Sequence, residues 1–172
     1  MPKPTIALHR PRRPTVLAVV LAASLAAPAA ALAEPAKPWA TINVCDTSAR
    51  PDTIGLRALM PGNGTATDEM FMRFQVQYFS PADGAWHSLT SGGDSGFVDV
   101  GSGRQKTREA GRSFVFAPLA KRTGVQLRGL VSFEWRRGGV AIQKTRRLTT
   151  PKHVSSAGAD PLGFSAAICV LV

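Results

Sequence analysis

Gly93-Asp94-Ser95-Gly96 is the stretch whose residue types and spacing come nearest to those of a catalytic site. A serine nucleophile needs a histidine base, an aspartate that orients this base, and hydrogen-bond donors for the oxyanion. His87 lies only eight residues before Ser95, and a four-residue match is weak support for such a site. We therefore expect a loop between strands here and a protein that is not an enzyme, with a hydrolase as the distant alternative.

Metal chemistry is not expected either. Beyond residue 33 the sequence contains two histidines, His87 and His153, which do not stand at ligand spacing from each other. Asp94 and Asp99 would be the carboxylates of a calcium site, but two carboxylates without a dense acidic loop are more often solvated. The sequence therefore predicts neither a metal ion nor another cofactor.

Basic side chains are the most abundant groups that can bind a charged partner. The 172 residues include 21 basic and 11 acidic ones, which give a formal net charge of +10. Period-two alternation places Arg128 and Arg136 on the outward side of one predicted strand, and Arg147 shares the matching parity of the next. These three arginines predict a site for an anionic cell-surface polymer, whereas nucleic acid is not expected as a partner. Charge that is scattered for solubility is the competing explanation, and the acidic residues interspersed among the basic ones favour it.

Trp86 is the aromatic residue that we assign to stacking on a sugar ring. Together with Trp39, Tyr78 and Phe97 it would form the flat surface that carbohydrate-binding modules use. Aromatic residues make up only 7% of the chain, and a domain of this size needs several of them in its core. A carbohydrate-binding module is therefore the second functional hypothesis.

Residues 1–33 have the pattern of a secretory signal peptide. Four basic residues precede an apolar run from Val16 to Ala26, and Ala31-Leu32-Ala33 fits the small-residue rule for cleavage before Glu34. An uncleaved membrane anchor is the alternative. Removing these 33 residues leaves 139, of which 17 are basic and 11 acidic, so the net charge becomes +6. We expect a secreted or cell-envelope protein with a short lead at 34–38 and one domain at 39–172.

Cys45 and Cys169 stand near opposite ends of the predicted domain. Export brings them into an oxidising compartment, where unpaired thiols are a liability. The sequence therefore predicts a disulfide between them, with two free thiols as the alternative.

The stretch from Val125 to Thr149 predicts a β-hairpin around which the domain is organised. Apolar residues and a glycine share one parity of its first arm, which indicates a strand with one buried face: Val125, Leu127, Gly129, Val131, Phe133 and Trp135. Gly138-Gly139 tolerates the positive φ of a tight turn. A two-residue loop would pair Trp135 with Ile142 and a four-residue loop would pair it with Val140, and both registers keep the apolar side chains on one face. Beyond Ile142 the second arm either leaves the core or contains a bulge that switches its parity.

Seven further segments show strand-like alternation: Trp39–Cys45, Thr53–Met60, Met70–Phe79, Ala85–Leu89, Gly96–Gly101, Arg112–Ala117 and Phe164–Leu171. About eight or nine short strands separated by frequent turns predict a single all-β domain, an antiparallel immunoglobulin-like β-sandwich. A closed barrel is the alternative architecture.

Three motifs are similar to those of secreted bacterial proteins with an immunoglobulin-like or fibronectin type III-like sandwich: NVCDT (Asn43–Thr47), MFMRFQVQYF (Met70–Phe79) and SFEWRRGG (Ser132–Gly139). The resemblance covers most of the predicted domain and implies this fold, but it assigns no activity. The cysteine placement differs from that of antibody domains, where the bridge joins two central strands. We therefore expect an exported, non-enzymatic interaction module.

Overall fold

The computed structural model describes residues 1–2, 36–118 and 124–172. Apart from its first two residues, the predicted signal peptide lies outside the described residues. Residues Glu34–Val172 belong to one compact unit, whose described part contains strands and turns but no helix. Accordingly, the described ranges contain no helix that is long and apolar enough to cross a membrane.

The described residues form nine β-strands in two antiparallel sheets. The strands are β1 (Trp39–Thr47), β2 (Arg50–Pro61), β3 (Asp68–Ser80), β4 (Ala85–Ser88), β5 (Asp94–Ser102), β6 (Thr107–Val115), β7 (Val125–Arg137), β8 (Val140–Leu148) and β9 (Ile168–Leu171). Strands β1, β2 and β6 form the smaller sheet, in the order β1-β2-β6. In the larger sheet β3 and β7 pair with each other, β4 and β5 pair with the remaining edge of β3, and β8 and β9 with that of β7.

The core lies between the two sheets and follows the alternation of the strands. Alternate apolar residues of β3 and β7 are buried, and residues of β1 and β2 face them from the smaller sheet: Met70, Met72, Phe74, Val76, Leu127, Val131, Phe133, Trp135, Ala40, Ile42, Ile54, Leu56, Ala58 and Met60. Burying a large apolar side chain contributes roughly 1.5–3 kcal/mol to folding. The predicted all-β, two-sheet antiparallel sandwich is therefore confirmed.

A disulfide joins Cys45 on β1 to Cys169 on β9. The two strands belong to different sheets, so the bond links the two layers. It also joins the first strand of the domain to the last. The predicted pairing of the two cysteines is confirmed.

The β7–β8 hairpin has a two-residue turn followed by a bulge. Gly138 and Gly139 both have positive φ, 55° and 79°, and Arg137 pairs with Val140 across them. Arg136 then pairs with Ala141 but Trp135 pairs with Gln143, so Ile142 is the extra residue of a β-bulge. The expectation that Val140 and Ile142 face the core is wrong, because both side chains are exposed.

This bulge reverses the parity of the remainder of β8. Lys144 and Arg146 pair with Glu134 and Ser132, residues that point away from the core. Arg147 pairs with the buried Val131 and therefore lies on the other side of the sheet. The bulge was the open alternative of the sequence analysis, and it decides which cations share a face.

Candidate functional site

The candidate site is the side of the larger sheet that points away from the core, called here the outer face. Directly paired residues of antiparallel strands project to the same side, so the pairings define its members. They include Trp86, Phe97, Phe71, Arg73, Gln75, Gln77, Arg128, Leu130, Ser132, Glu134, Arg136, Lys144, Arg146 and Leu148, together with the acidic residues Glu69, Asp94 and Asp99. The face thus combines arginines, a lysine, aromatic rings, amides and four carboxylates, of which Glu134 lies on the central strand β7.

Ser132 forms the floor of a depression in the outer face, called here the Ser132 cavity. It lies between Arg73 on β3 and Arg146 on β8, whose long side chains rise on either side of the short serine. The cavity has a volume of about 400 Å³ and is lined by Arg73, Gln75, Phe97, Ser132, Phe133, Glu134, Lys144, Thr145 and Arg146. Ser132 is only 9% exposed, and among the described residues its hydroxyl has no hydrogen-bond partner.

A buried carboxylate lies beside this serine. Glu134 is 8% exposed. Its Oε2 accepts from Arg136 Nη2 at 2.7 Å, and Lys144 Nζ lies 3.3 Å from its Oε1. Burial by itself raises the pKa of Glu134, but the hydrogen bonds and charges of the two cations outweigh it, so the pKa lies below its usual value. Glu134 is therefore an ionised hydrogen-bond acceptor at the edge of the cavity.

The two arginines that flank Ser132 differ in their partners. Arg73 Nε donates to both carboxylate oxygens of Asp94, at 2.9 and 3.0 Å, and Gln75 Nε2 donates to Asp94 Oδ2 at 3.1 Å. Hydrogen bonding to Arg73, more than any other effect, keeps the pKa of Asp94 below its usual value. Arg146, in contrast, is exposed, and its guanidinium contacts no carboxylate within the described part of the chain. Arg146 is therefore the flanking cation that is available to a ligand.

Arg128 lies further along the same face and stacks on Trp86. The guanidinium carbon is 4.4 Å from the centroid of the indole ring, and Arg128 Nε donates to Gln77 Oε1 at 2.8 Å. Burial lowers the pKa of Arg128, but a guanidinium stays protonated at physiological pH. Across the described ranges Arg128 has no acidic partner, so its guanidinium contacts only neutral groups, the indole ring and the Gln77 amide.

Arg136, the second predicted arginine, also lies on the outer face but is already engaged. It is ion-paired with Glu134, and its guanidinium carbon lies 4.1 Å from the ring centroid of Phe71 and 4.7 Å from that of Phe97. Such contacts hold the side chain over the sheet. Arg136 therefore positions Glu134 and the aromatic wall of the cavity more than it offers a free charge.

Arg147 does not join the other two predicted arginines. Its Nε donates to the Pro38 carbonyl at 3.2 Å, and it lines a separate depression that also includes Trp135. The prediction that Arg128, Arg136 and Arg147 share one face is thus wrong for Arg147, because the bulge at Ile142 turns it to the other side. Arg146 occupies the predicted position of Arg147. The sequence signal for this was the placement of Lys144 and Arg146 on the core parity, which a bulge before Gln143 corrects.

The four aromatic residues of the predicted sugar platform do not form one surface. Trp86 and Phe97 lie on the outer face, whereas Tyr78 pairs with the buried Leu127 and packs against the core. Trp39 belongs to the smaller sheet and stacks on His153, with ring centroids 4.2 Å apart. Trp86 itself is half-buried and carries Arg128 on its ring, so a ligand there would meet an aromatic ring and a cation together.

The Gly93–Gly96 stretch begins β5 and has a structural role. Ser95 Oγ accepts a hydrogen bond from the backbone N–H of Phe74 at 2.9 Å and donates one to the Gly96 carbonyl at 2.7 Å. His87 bonds Asp83 at 2.8 Å, and no hydrogen bond between Ser95 and a histidine occurs in the described ranges. The Ser95 hydroxyl thus replaces a ladder hydrogen bond where the β3–β5 register shifts.

Within the described residues, no group of three or more histidine, cysteine, aspartate or glutamate side chains is arranged to hold a metal ion. In comparisons with known proteins, no protein-family model matches this chain, and no curated protein matches it significantly. The outer face is therefore interpreted from its own geometry.

Proposed function

We propose that this protein is an exported, non-enzymatic β-sandwich that binds anionic polymers through the outer face of its larger sheet. Arg128 and Arg146 carry the proposal, because they lie on that face without a carboxylate partner among the described residues. Arg146 pairs with Ser132, four residues from Arg128 along β7, so the two positions are about 13 Å apart along the strands. Charges at this spacing suit an extended polymer better than a single small anion.

Export and fold type are parts of the same proposal. The signal-peptide pattern and the disulfide support an oxidising extracellular destination. The strand order supports the immunoglobulin-like type, because β7 and β8 add beside β3 in one sheet while β6 returns to β2 in the other.

A competing explanation is that the basic residues of β8 only protect a sheet edge. Charged side chains on an edge strand oppose pairing with another chain, and β8 pairs with β7 along one edge only among the described residues. Arg146 and Arg147 would serve this purpose equally, since both are exposed neighbours on the same strand. Only Arg146 belongs to the outer face, so these two residues separate the explanations.

The test compares Arg146→Gln with Arg147→Gln, two variants of identical net charge. An exposed ion pair contributes about 0.2–1 kcal/mol, so Arg146→Gln should weaken binding to heparin about 1.5-fold to fivefold. The double variant Arg128→Gln/Arg146→Gln should weaken it further, and binding should fall steeply with salt. Equal retention of the two single variants on a heparin column would show that total charge, and not this face, determines binding.

Trp86 supports a carbohydrate-binding module as the second candidate, because its ring is half-buried on the same face. Such a module would bind neutral glycans in a salt-independent manner. Binding on an array of neutral glycans that disappears in Trp86→Ala would favour this candidate over the first.

A further inference from the structure

The Ser132 cavity holds polar groups of both kinds whose hydrogen-bonding capacity is not used. A hydroxyl has one donor and two acceptor positions, and the described residues use none of those of Ser132. The carbonyl oxygen of Gln75 likewise accepts no hydrogen bond from them. Arg136 binds Glu134 Oε2, whereas Glu134 Oε1 has only Lys144 as a polar partner in the described residues and can accept a further hydrogen bond. The buried side-chain atoms without a partner in the described residues are Gln105 Oε1 and Ser156 Oγ, so the polar groups of the Ser132 cavity are open to solvent and can bind a polar ligand there.

The arrangement of these groups restricts the chemistry of that ligand. Arg146 and Lys144 offer donors and positive charge on the β8 side, while Glu134 and Gln75 offer acceptors nearby. A polyphosphate brings only acceptor oxygens and would face the Glu134 carboxylate without a hydroxyl group to donate. A sugar ring that carries a carboxylate brings both an anion and hydroxyl donors.

We infer that the Ser132 cavity binds one uronate residue of an acidic glycan, an inference that rests on the proposed function. The carboxylate of the uronate lies against Arg146, with Lys144 beside it. Ring hydroxyls donate to Glu134 and Gln75, and the Ser132 hydroxyl bonds a ring oxygen. The cavity volume of about 400 Å³ falls within the range of about 300–1,000 Å³ found for small-molecule sites.

Three probes distinguish this ligand from other anions: a short oligogalacturonate, its methyl ester, and a polyphosphate of matched charge. The full chain is titrated with each probe by isothermal titration calorimetry at low salt. Oligogalacturonate should bind tightest. The ester keeps the ring but loses the charge, and it should bind at least about tenfold more weakly, as expected for a lost charge-assisted hydrogen bond.

Glu134→Gln makes opposite predictions for the two anions. Removing a negative charge should strengthen polyphosphate binding by simple electrostatics, whereas oligogalacturonate should bind about fivefold to tenfold more weakly, because an amide is a poorer acceptor for ring hydroxyls. Ser132→Ala removes a hydroxyl that stabilises nothing else in the described structure, so it should fold normally. It should weaken oligogalacturonate binding about twofold to tenfold, and Arg147→Gln is the control.

The outcomes separate this inference from the proposed function. Polyphosphate and oligogalacturonate that bind equally, lose affinity in Arg146→Gln, and both gain affinity in Glu134→Gln would overturn the uronate assignment and leave polyanion binding intact. Unchanged oligogalacturonate affinity in Ser132→Ala would overturn the assignment even if Glu134→Gln did not fold. Absence of binding to either anion at low salt would overturn both.

Discussion

Reduction of the Cys45–Cys169 bond is expected to lower the melting temperature by about 15–20 °C. The two cysteines are separated by 124 residues. In the chain-entropy model, closing a loop of this length restricts the unfolded state by about 5 kcal/mol at 25 °C. For a domain of about 140 residues, 1 kcal/mol corresponds to about 3–4 °C in melting temperature.

The β-sheet signal should survive this loss, because backbone hydrogen bonds also join β1 to the segment that precedes β9. Ile42 and Ala166 exchange two backbone hydrogen bonds of 3.0 Å, and Asp160 N–H donates to the Asn43 carbonyl at 2.8 Å. The measurement is urea and thermal unfolding, followed by circular dichroism with and without a reductant. The denaturant dependence of the free energy should steepen on reduction, because the released unfolded chain exposes more surface.

The double variant Cys45→Ala/Cys169→Ala provides the control, since a reductant should leave its stability unchanged. A decrease of less than about 1 kcal/mol on reduction of the natural chain would refute the loop-entropy argument. Loss of the β-sheet signal would instead show that the backbone bonds of β1 cannot hold the layers together.

Three further predictions concern individual side chains. Hydrogen bonding from Arg137 holds the pKa of the fully buried Asp68 below its ordinary value of 3.8. The contribution of Asp68 to stability is therefore complete above pH 3.8 and is lost as the pH falls through the lower folded-state pKa. Asp68→Asn should lack this loss of stability on acid unfolding, and an acid-unfolding curve equal to that of the natural chain would contradict the assignment. Ser95→Ala should destabilise the fold by about 0.5–1.5 kcal/mol in urea unfolding, because the Phe74 N–H loses its acceptor; labelling by a serine-directed phosphonate that this variant abolishes would contradict the non-enzymatic proposal. Trp86→Ala should weaken heparin binding about twofold by freeing the guanidinium stacked on it, and column retention above that of the natural chain would argue against the stacked geometry.

The buried strands were predictable from sequence because burial imposes a side-chain pattern. Residues Met70–Phe79 and Val125–Trp135 alternate clearly, and both segments lie in the middle of the larger sheet. The beginning of β6 was not predictable in this way. Residues 107–111 pair with β2 through backbone hydrogen bonds that leave no apolar pattern, so the strand was expected to begin only at Arg112. The last strand was expected to begin at Phe164 but begins at Ile168. Phe164 and Ala166 pack against the core from a loop, so their apolar side chains gave a strand-like pattern without a strand.

The candidate site was predictable only where it depends on a single strand. Arg128 and Arg136 lie on the expected side because both belong to β7, which pairs with β3 without a bulge. Arg146 and the Ser132 cavity depend on how β8 and β3 align with β7. The cations Lys144 and Arg146 on the core parity indicated either a bulge or a strand that leaves the core, and local alternation does not decide between these two. Cross-strand neighbours are long-range information, which local alternation does not contain.

The bulge at Ile142 also determines where β8 can lose a residue in evolution without a change in its later pairings. Ile142 has no partner on β7, and its side chain is exposed, so losing this residue would turn the hairpin into a regular one with the same later pairings. A deletion between Gln143 and Leu148 would instead exchange the two sides of the remaining strand, because side chains alternate with a period of two. Ile142 is therefore a position of β8 where a residue can be lost in evolution while Lys144 and Arg146 stay on the same face of the sheet.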